Sequence, residues 1–511
     1  MGNRPLIERS RDGYRIPGLV DAHVHIESSH LRPSEFGRML VAQGTFAAVC
    51  DPHEIVNVAG EAGLDFMLSD ARRSPAQLFF ALPSCVPATA FETSGARIDA
   101  AATARILDAH PELVALGEMM DFPSVLAGAD EACAKIRAAL DRGRRVDGHF
   151  PGGGGAAIRA YAAAGVTSDH ETATAEEALG KIAAGMTVFI REGSSARNLA
   201  AVLPAVTDAN WRRFCFCTDD LSAADLSRGR GILDCVRKAV RLGMDPERAV
   251  AIASVNAVRH FGLAVDPDAY VEVRDLTDFE IVRTVPPRVS AAAAADARRL
   301  LGSVRLPSLA RFAFPAWPAT VPRRPAIGVK PTELVTEKAV LRRGEAFLRL
   351  AVIERHGVNG NVAYAPVVGA GDLHGALAST IAHDSHNVVV LGDNDADMLR
   401  AVMRLGEIGG GAVVAADGDV RAELALPIGG LMGLGDADAV SAADERVRRE
   451  VRALGCTLPE PLTTLSFLAL PVIPHLRLTD RGLFDVDAFR FVAEQPGAIG
   501  DEPAPSPDRA G

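Results

Sequence analysis

The chain has no two cysteines spaced as CxxC; its seven, an odd number, are scattered from Cys50 to Cys456. That spacing argues against a cysteine zinc cluster and against a disulfide framework, so a reducing cytoplasm is expected. Long apolar runs are also missing. No uncharged stretch approaches the roughly 18 residues a membrane span needs, and Met1 to Arg15 is too polar and charged for a signal peptide. Positive charge is scarce: 54 Lys and Arg against 65 Asp and Glu leave a net charge of −11. A nucleic-acid-binding surface needs a basic stripe, so that class is set aside. No GxGxxG follows an early strand pattern, and the glycine run Gly152 to Gly155 lacks the lysine of a phosphate-binding loop. A barrel loop is the better reading of that run.

What is present is an ordinary globular composition, 48% apolar and 23% charged, in a chain of 511 residues, enough for two or three domains. The first 260 or so residues alternate β-leaning apolar runs with longer Ala- and Leu-rich helical patterns. Strand ends are expected near Asp21, Cys50, Leu82, Leu116, Asp147, Ser168, Ile190 and Cys217. Eight strands, each followed by a longer connection, predict an α/β fold of the (β/α)8 TIM-like type; an open doubly wound sheet is the runner-up. Asp245 to Phe261 reads as one helix, capped by Asp245 and stopped by Gly262. Residues 1–16 form a short leading segment, 17–263 the barrel, and 264–332 weak strands, the alanine run Ala291 to Ala295 and a proline-rich linker. Strand patterns return over 333–491, an α+β C-terminal domain, and 492–511 has a disordered composition.

The strongest chemical signal is His23-x-His25 at the end of the first strand. Residues i and i+2 on a strand face one way, so both imidazoles can reach one cation at the barrel mouth, where barrel active sites lie. The same end of later strands carries Glu118, His149, His170 with Glu171, and Asp219 with Asp220. Two divalent cations held by His23, His25, Glu118, His149, His170 and Asp219 would make a binuclear hydrolytic site, with Asp219 as general base. Imidazole suits zinc, iron or manganese. After the second strand, Asp51-Pro-His-Glu54 reads two ways: His53 and Glu54 at the mouth as substrate or proton-transfer groups, or a helix start capped by Asp51. In the C-terminal domain Ala382-His-Asp-Ser-His-Asn387 is either a metal-binding cluster or a hydrogen-bonded turn.

Longer motifs carry a resemblance. Pro17-Gly-Leu-Val-Asp-Ala-His-Val-His-Ile-Glu-Ser-Ser29, Asp51-Pro-His-Glu-Ile-Val-Asn-Val58, Phe91-Glu-Thr-Ser-Gly95, Gly117-Glu-Met-Met120, Ser168-Asp-His-Glu171, Arg191-Glu-Gly193 and Ile353-Glu-Arg-His-Gly357 closely resemble the adenine deaminases of the amidohydrolase superfamily. The resemblance implies hydrolysis of adenine to hypoxanthine and ammonia in purine salvage, at two manganese or iron ions bridged by Glu118. It implies that metal-bound hydroxide attacks C6 and that Asp219 accepts the proton. An acid among Glu27, Glu54 and Glu171 would protonate the ring nitrogen and the departing amine.

The chain departs from that family in places. Only Met1 to Ile16 precede the first motif, and Ala264 to Thr284 looks eroded, so both halves of a flanking β-domain are expected to be reduced. Lost flanking strands leave apolar surface to cover, hence an expected homo-oligomer. Gly229-Arg-Gly-Ile-Leu-Asp234 lacks a histidine the family carries there. Two rivals follow: the same site acting on another aminopurine or cyclic amide, and a catalytically silent paralogue. That every proposed ligand position is filled argues against the second.

Overall fold

The computed structural model describes residues 5–152, 154–194, 196–288, 296–317, 319, 321–331 and 333–492. The alanine run, the C-terminal tail beyond 492, residues 1–4 and Gly153 of the glycine run lie outside the described residues. Two compact units account for the chain. The first takes residues 1–88, 96–302 and 426–443; the second takes 89–95, 303–425 and 444–511.

The first unit is a (β/α)8 barrel. Its strands are Leu19–His25, Thr45–Cys50, Gln77–Leu82, Ala115–Met119, Arg145–Gly148, Ser168–Asp169, Thr187–Arg191 and Phe214–Cys217, all paired in parallel with their neighbours where ladders form. Between the fifth and sixth, the Thr167 N–H donates to the Val146 carbonyl at 2.9 Å. The eighth strand closes the ring by changing partner: Phe214–Cys217 pairs with the seventh, then Asp219–Asp220 pairs with Val24 and His25 of the first. Short apolar side chains, among them Val20, Ala22, Ala47, Val49, Ala81 and Ala115, fill the interior with Phe189, Cys215 and Cys217. The two cysteines therefore pack on one strand face, as their spacing implies.

The single helix expected over Asp245 to Phe261 is two, Pro246–Ile252 and Val255–Phe261. Asp245 caps the first through the Arg248 N–H, and Gly262 in the left-handed region stops the second. The break between them has a local cause. The Ala253 carbonyl accepts from Val20 N–H of the first strand, and the Ser254 hydroxyl bonds back to the Val250 carbonyl.

The residues before the barrel and those after it meet in one antiparallel sheet of Glu8–Arg9, Tyr14–Pro17, Tyr270–Val273 and Ile281–Val285. The stretch read as eroded thus keeps two strands. Their pattern was weak because burial comes from a partner more than 250 positions away, as with Val271 opposite Ile16.

The second unit is built on an eight-stranded mixed sheet. From edge to edge it runs Glu337–Arg342, Arg323–Gly328, Val362–Val368, Leu348–Ile353, Val388–Gly392, Ala376–Ser379, Gly411–Ala416 and Asp419–Ala425. Helix Asp395–Ile408 covers one face through Met398, Ala401, Val402 and Leu405. The proline-rich stretch is thus not a bare linker: from Ser303 it belongs to this unit, and Arg323–Gly328 is an inner strand. No helix among the described residues is long and apolar enough to cross a membrane.

Candidate metal centre

His23 and His25 leave the first strand side by side, with their Nε2 atoms 3.1 Å apart. Each ring is anchored from behind. His23 Nδ1 lies 2.9 Å from Asp147 Oδ2, and His25 Nδ1 lies 2.9 Å from the Asp51 carbonyl oxygen. Such backing leaves Nε2 as the outward donor and fixes the ring plane. Asp219 Oδ1 faces this pair, 3.2 Å from His25 Nε2 and 3.6 Å from His23 Nε2.

Glu118 lies buried at the centre and divides its two oxygens. Oε1 is 3.3 Å from His25 Nε2 and 3.2 Å from His53 Nδ1; Oε2 is 2.6 Å from His149 Nδ1 and 3.1 Å from His170 Nε2. Burial disfavours its charged form, but the facing imidazoles, His149 first, hold the carboxyl well below its usual range. His149 answers in kind: burial opposes its protonation, yet Glu118 and Glu171 push it up to about 9. A field that holds protons this tightly also favours a cation.

The donor set suits divalent metal. His23, His25 and Asp219 form one group of ligand atoms within 4.8 Å of one another, and His149, His170 and Glu171 form another. The ring of His170 is fully buried, yet neither of its nitrogens has an aligned hydrogen-bond partner. A buried imidazole left in that state fits a metal ligand better than a packing residue.

Residues 14–266 match the amidohydrolase family and residues 329–490 the adenine deaminase C-terminal domain. An adenine deaminase from Nitratidesulfovibrio vulgaris is 46% identical, over 94% of this chain and 88% of its own length. One from Dehalococcoides mccartyi is 39% identical, over 97% of this chain and 90% of its own. The chain belongs to the adenine deaminase family. Among solved structures, the N-acetyl-D-glucosamine-6-phosphate deacetylase of Mycobacterium smegmatis aligns at 18% identity with a TM-score of 0.41, over 53% of this chain and 85% of its own.

Within this adenine deaminase family member, all six expected ligands meet at one end of the barrel. The other expected residues separate by environment. The Glu27 carboxyl, buried and beside Glu54, is pushed up to about 7, and its Oε1 accepts from the Ile55 N–H at 3.2 Å. Glu54 Oε1 lies 3.3 Å from His53 Nε2. Glu171 is different: burial opposes its charge, but His149 and the Arg191 guanidinium, which forks onto it, lower its carboxyl below the ordinary range. Asp51 does not cap the helix His53–Ala59, whose start lacks a side-chain cap; its Oδ2 accepts from the Glu118 N–H at 2.8 Å instead. In the second unit His383 stacks on Phe467, and His386 Nδ1 accepts from the Ala382 N–H at 3.2 Å, closing a turn.

Three residues were missed. Asp147, behind His23, sits two positions before His149, the spacing already used for His23 and His25. Arg191 follows Phe189 at that same spacing. Lys181 offered no such signal: it lies on helix Ala175–Ala183, where a lysine reads as solvated, yet it is fully buried. Its ammonium donates to Asp169 Oδ1 at 2.5 Å and to the carbonyls of Phe150 and Glu171 at 2.9 Å, tying together the loops that carry His149, His170 and Glu171.

Proposed function

We propose that the protein hydrolyses adenine to hypoxanthine and ammonia, with His23, His25, Glu118, His149, His170 and Asp219 as metal ligands. The observation that carries this reading is the division of Glu118, one carboxylate oxygen toward His25 and the other toward His149 and His170. That is the arrangement a bridging ligand between two cations needs, and the adenine deaminase relatives supply the substrate. Those six residues would hold two divalent ions, manganese or iron with zinc as the further choice, which when bound would supply a water of lowered pKa.

The chain's own groups do the rest. Asp219, facing the histidine pair, takes the proton of the water that attacks C6. Glu27, beside Glu54, is the proton source for the ring nitrogen, since burial and the Glu54 charge raise its carboxyl to about 7. The proton taken by Asp219 goes to the departing amine, and the proton of the new C6 hydroxyl returns to Glu27 as the C6 carbonyl forms. Glu171, held ionised by His149 and Arg191, anchors the Arg191 guanidinium rather than donating a proton. A cytoplasmic location, a role in purine salvage and a homo-oligomeric state belong to the same proposal; light scattering of the purified chain checks the last.

The test is ammonia release by protein purified with Mn²⁺, measured across a panel of purines. Adenine is expected to be turned over fastest. Good turnover of another purine with none of adenine would transfer the reading to that aminopurine.

A further inference from the structure

Arg191 ends the seventh barrel strand on the face of Phe189, which fills the barrel interior. Its guanidinium is occupied by the chain's own acceptors. Nη1 and Nη2 fork onto Glu171, Nη1 also donates to Asp219 Oδ2 at 2.9 Å, and Nε donates to Asn198 Oδ1 at 3.4 Å. Asp219 is thereby divided, with Oδ2 on Arg191 and Oδ1 toward the Nε2 atoms of His23 and His25.

The backbone there is unusual. Cys217 pairs with Arg191 while Asp219 pairs with Val24, so the strand changes neighbours at Thr218. Asp21 holds that crossing through the Thr218 N–H at 3.1 Å and its hydroxyl at 2.5 Å. Asp219 itself sits at φ +59°, a left-handed conformation a non-glycine residue keeps only when its surroundings impose it.

We propose that Arg191 is a positioning residue that fixes the rotation of the Asp219 carboxylate, so that Oδ1 is preset toward the point of water attack. The inference rests on the reading of Asp219 as the base. Binding contributes little, because the guanidinium is turned to Glu171 and Asp219 instead of to a ligand.

The test compares Arg191→Gln and Arg191→Lys with wild type, each purified with Mn²⁺. Arg191→Gln is expected to keep its bound metal and to lose kcat by about 100-fold, since a misplaced catalytic group costs on that order. KM should stay within about threefold, and Arg191→Lys should recover about tenfold of the loss. A kcat within about threefold of wild type overturns the proposal, as does a defect confined to KM. Loss of metal with no rescue by lysine assigns Arg191 a structural role only, and also overturns it.

If wild type turns over no purine, the functional reading fails, and the Arg191 inference is decided by the visible absorption of the cobalt-loaded proteins. A spectrum altered in Arg191→Gln and intermediate in Arg191→Lys supports it. Identical spectra refute it.

Discussion

Asp147 Oδ2 stands 2.9 Å behind His23 Nδ1, and its other oxygen accepts from the Ser168 hydroxyl at 2.7 Å. The fifth strand therefore sets the orientation of a ligand on the first, and Ser168 of the sixth strand sets the orientation of Asp147. Replacing Asp147 by Asn keeps the shape but removes the charge behind His23. Metal affinity is expected to fall about 10- to 100-fold, in line with other backing carboxylates. Metal retained during dialysis against graded chelator measures this, and retention equal to wild type would count against the anchoring role.

Lys181 and Asp169 form a fully buried ion pair. Lys181→Met strands the carboxylate without a counter-charge, and chemical denaturation should show a loss of about 3–5 kcal/mol. The double variant Lys181→Met, Asp169→Asn should regain part of that loss. An unchanged single variant would show that the pair does not hold these loops.

Much of the site was legible because its period is local. Apolar runs ending in chemistry-bearing residues mark the strand ends, and the i, i+2 rule places His23 with His25. What was hidden depends on partners far along the chain. Lys181 reads as a solvated helix residue until Phe150, Asp169 and Glu171 close around it. Arg191, read only within the motif Arg191-Glu-Gly193, has no role of its own until Asp219 arrives from the next strand. The exchange of segments between the two units was not legible either. Residues 89–95 leave a barrel connection for the second unit, where Phe91 packs against Phe484, Phe489 and Phe491. No periodicity within seven residues announces that.

In the same segment, burial first and the charge of Asp384 second push the Glu92 carboxyl from 4.5 to about 8. The folded state binds this proton more tightly than the unfolded one, so Glu92 makes stability fall as pH rises from about 4.5 to about 8, with no further loss above. Glu92→Gln removes the titration. Its thermal midpoint should decline less than that of wild type across this window and exceed it at the alkaline end. Parallel curves for the two proteins would rule Glu92 out as the source.

Glu118→Gln takes away half of the proposed bridge, because an amide offers one oxygen where the carboxylate offers two. Metal analysis of the purified variant should show the loss of one or both ions. Full metal content together with normal activity would refute the bridging role.

Titrating metal-free protein with Mn²⁺ while following hypoxanthine formation and bound metal together tests whether two metal ions at this site deaminate adenine. Activity is expected to rise with occupancy and level off at two bound ions per chain. A plateau at one ion, hypoxanthine formation without metal, or two bound ions with no hypoxanthine would rule out a two-metal adenine deaminase.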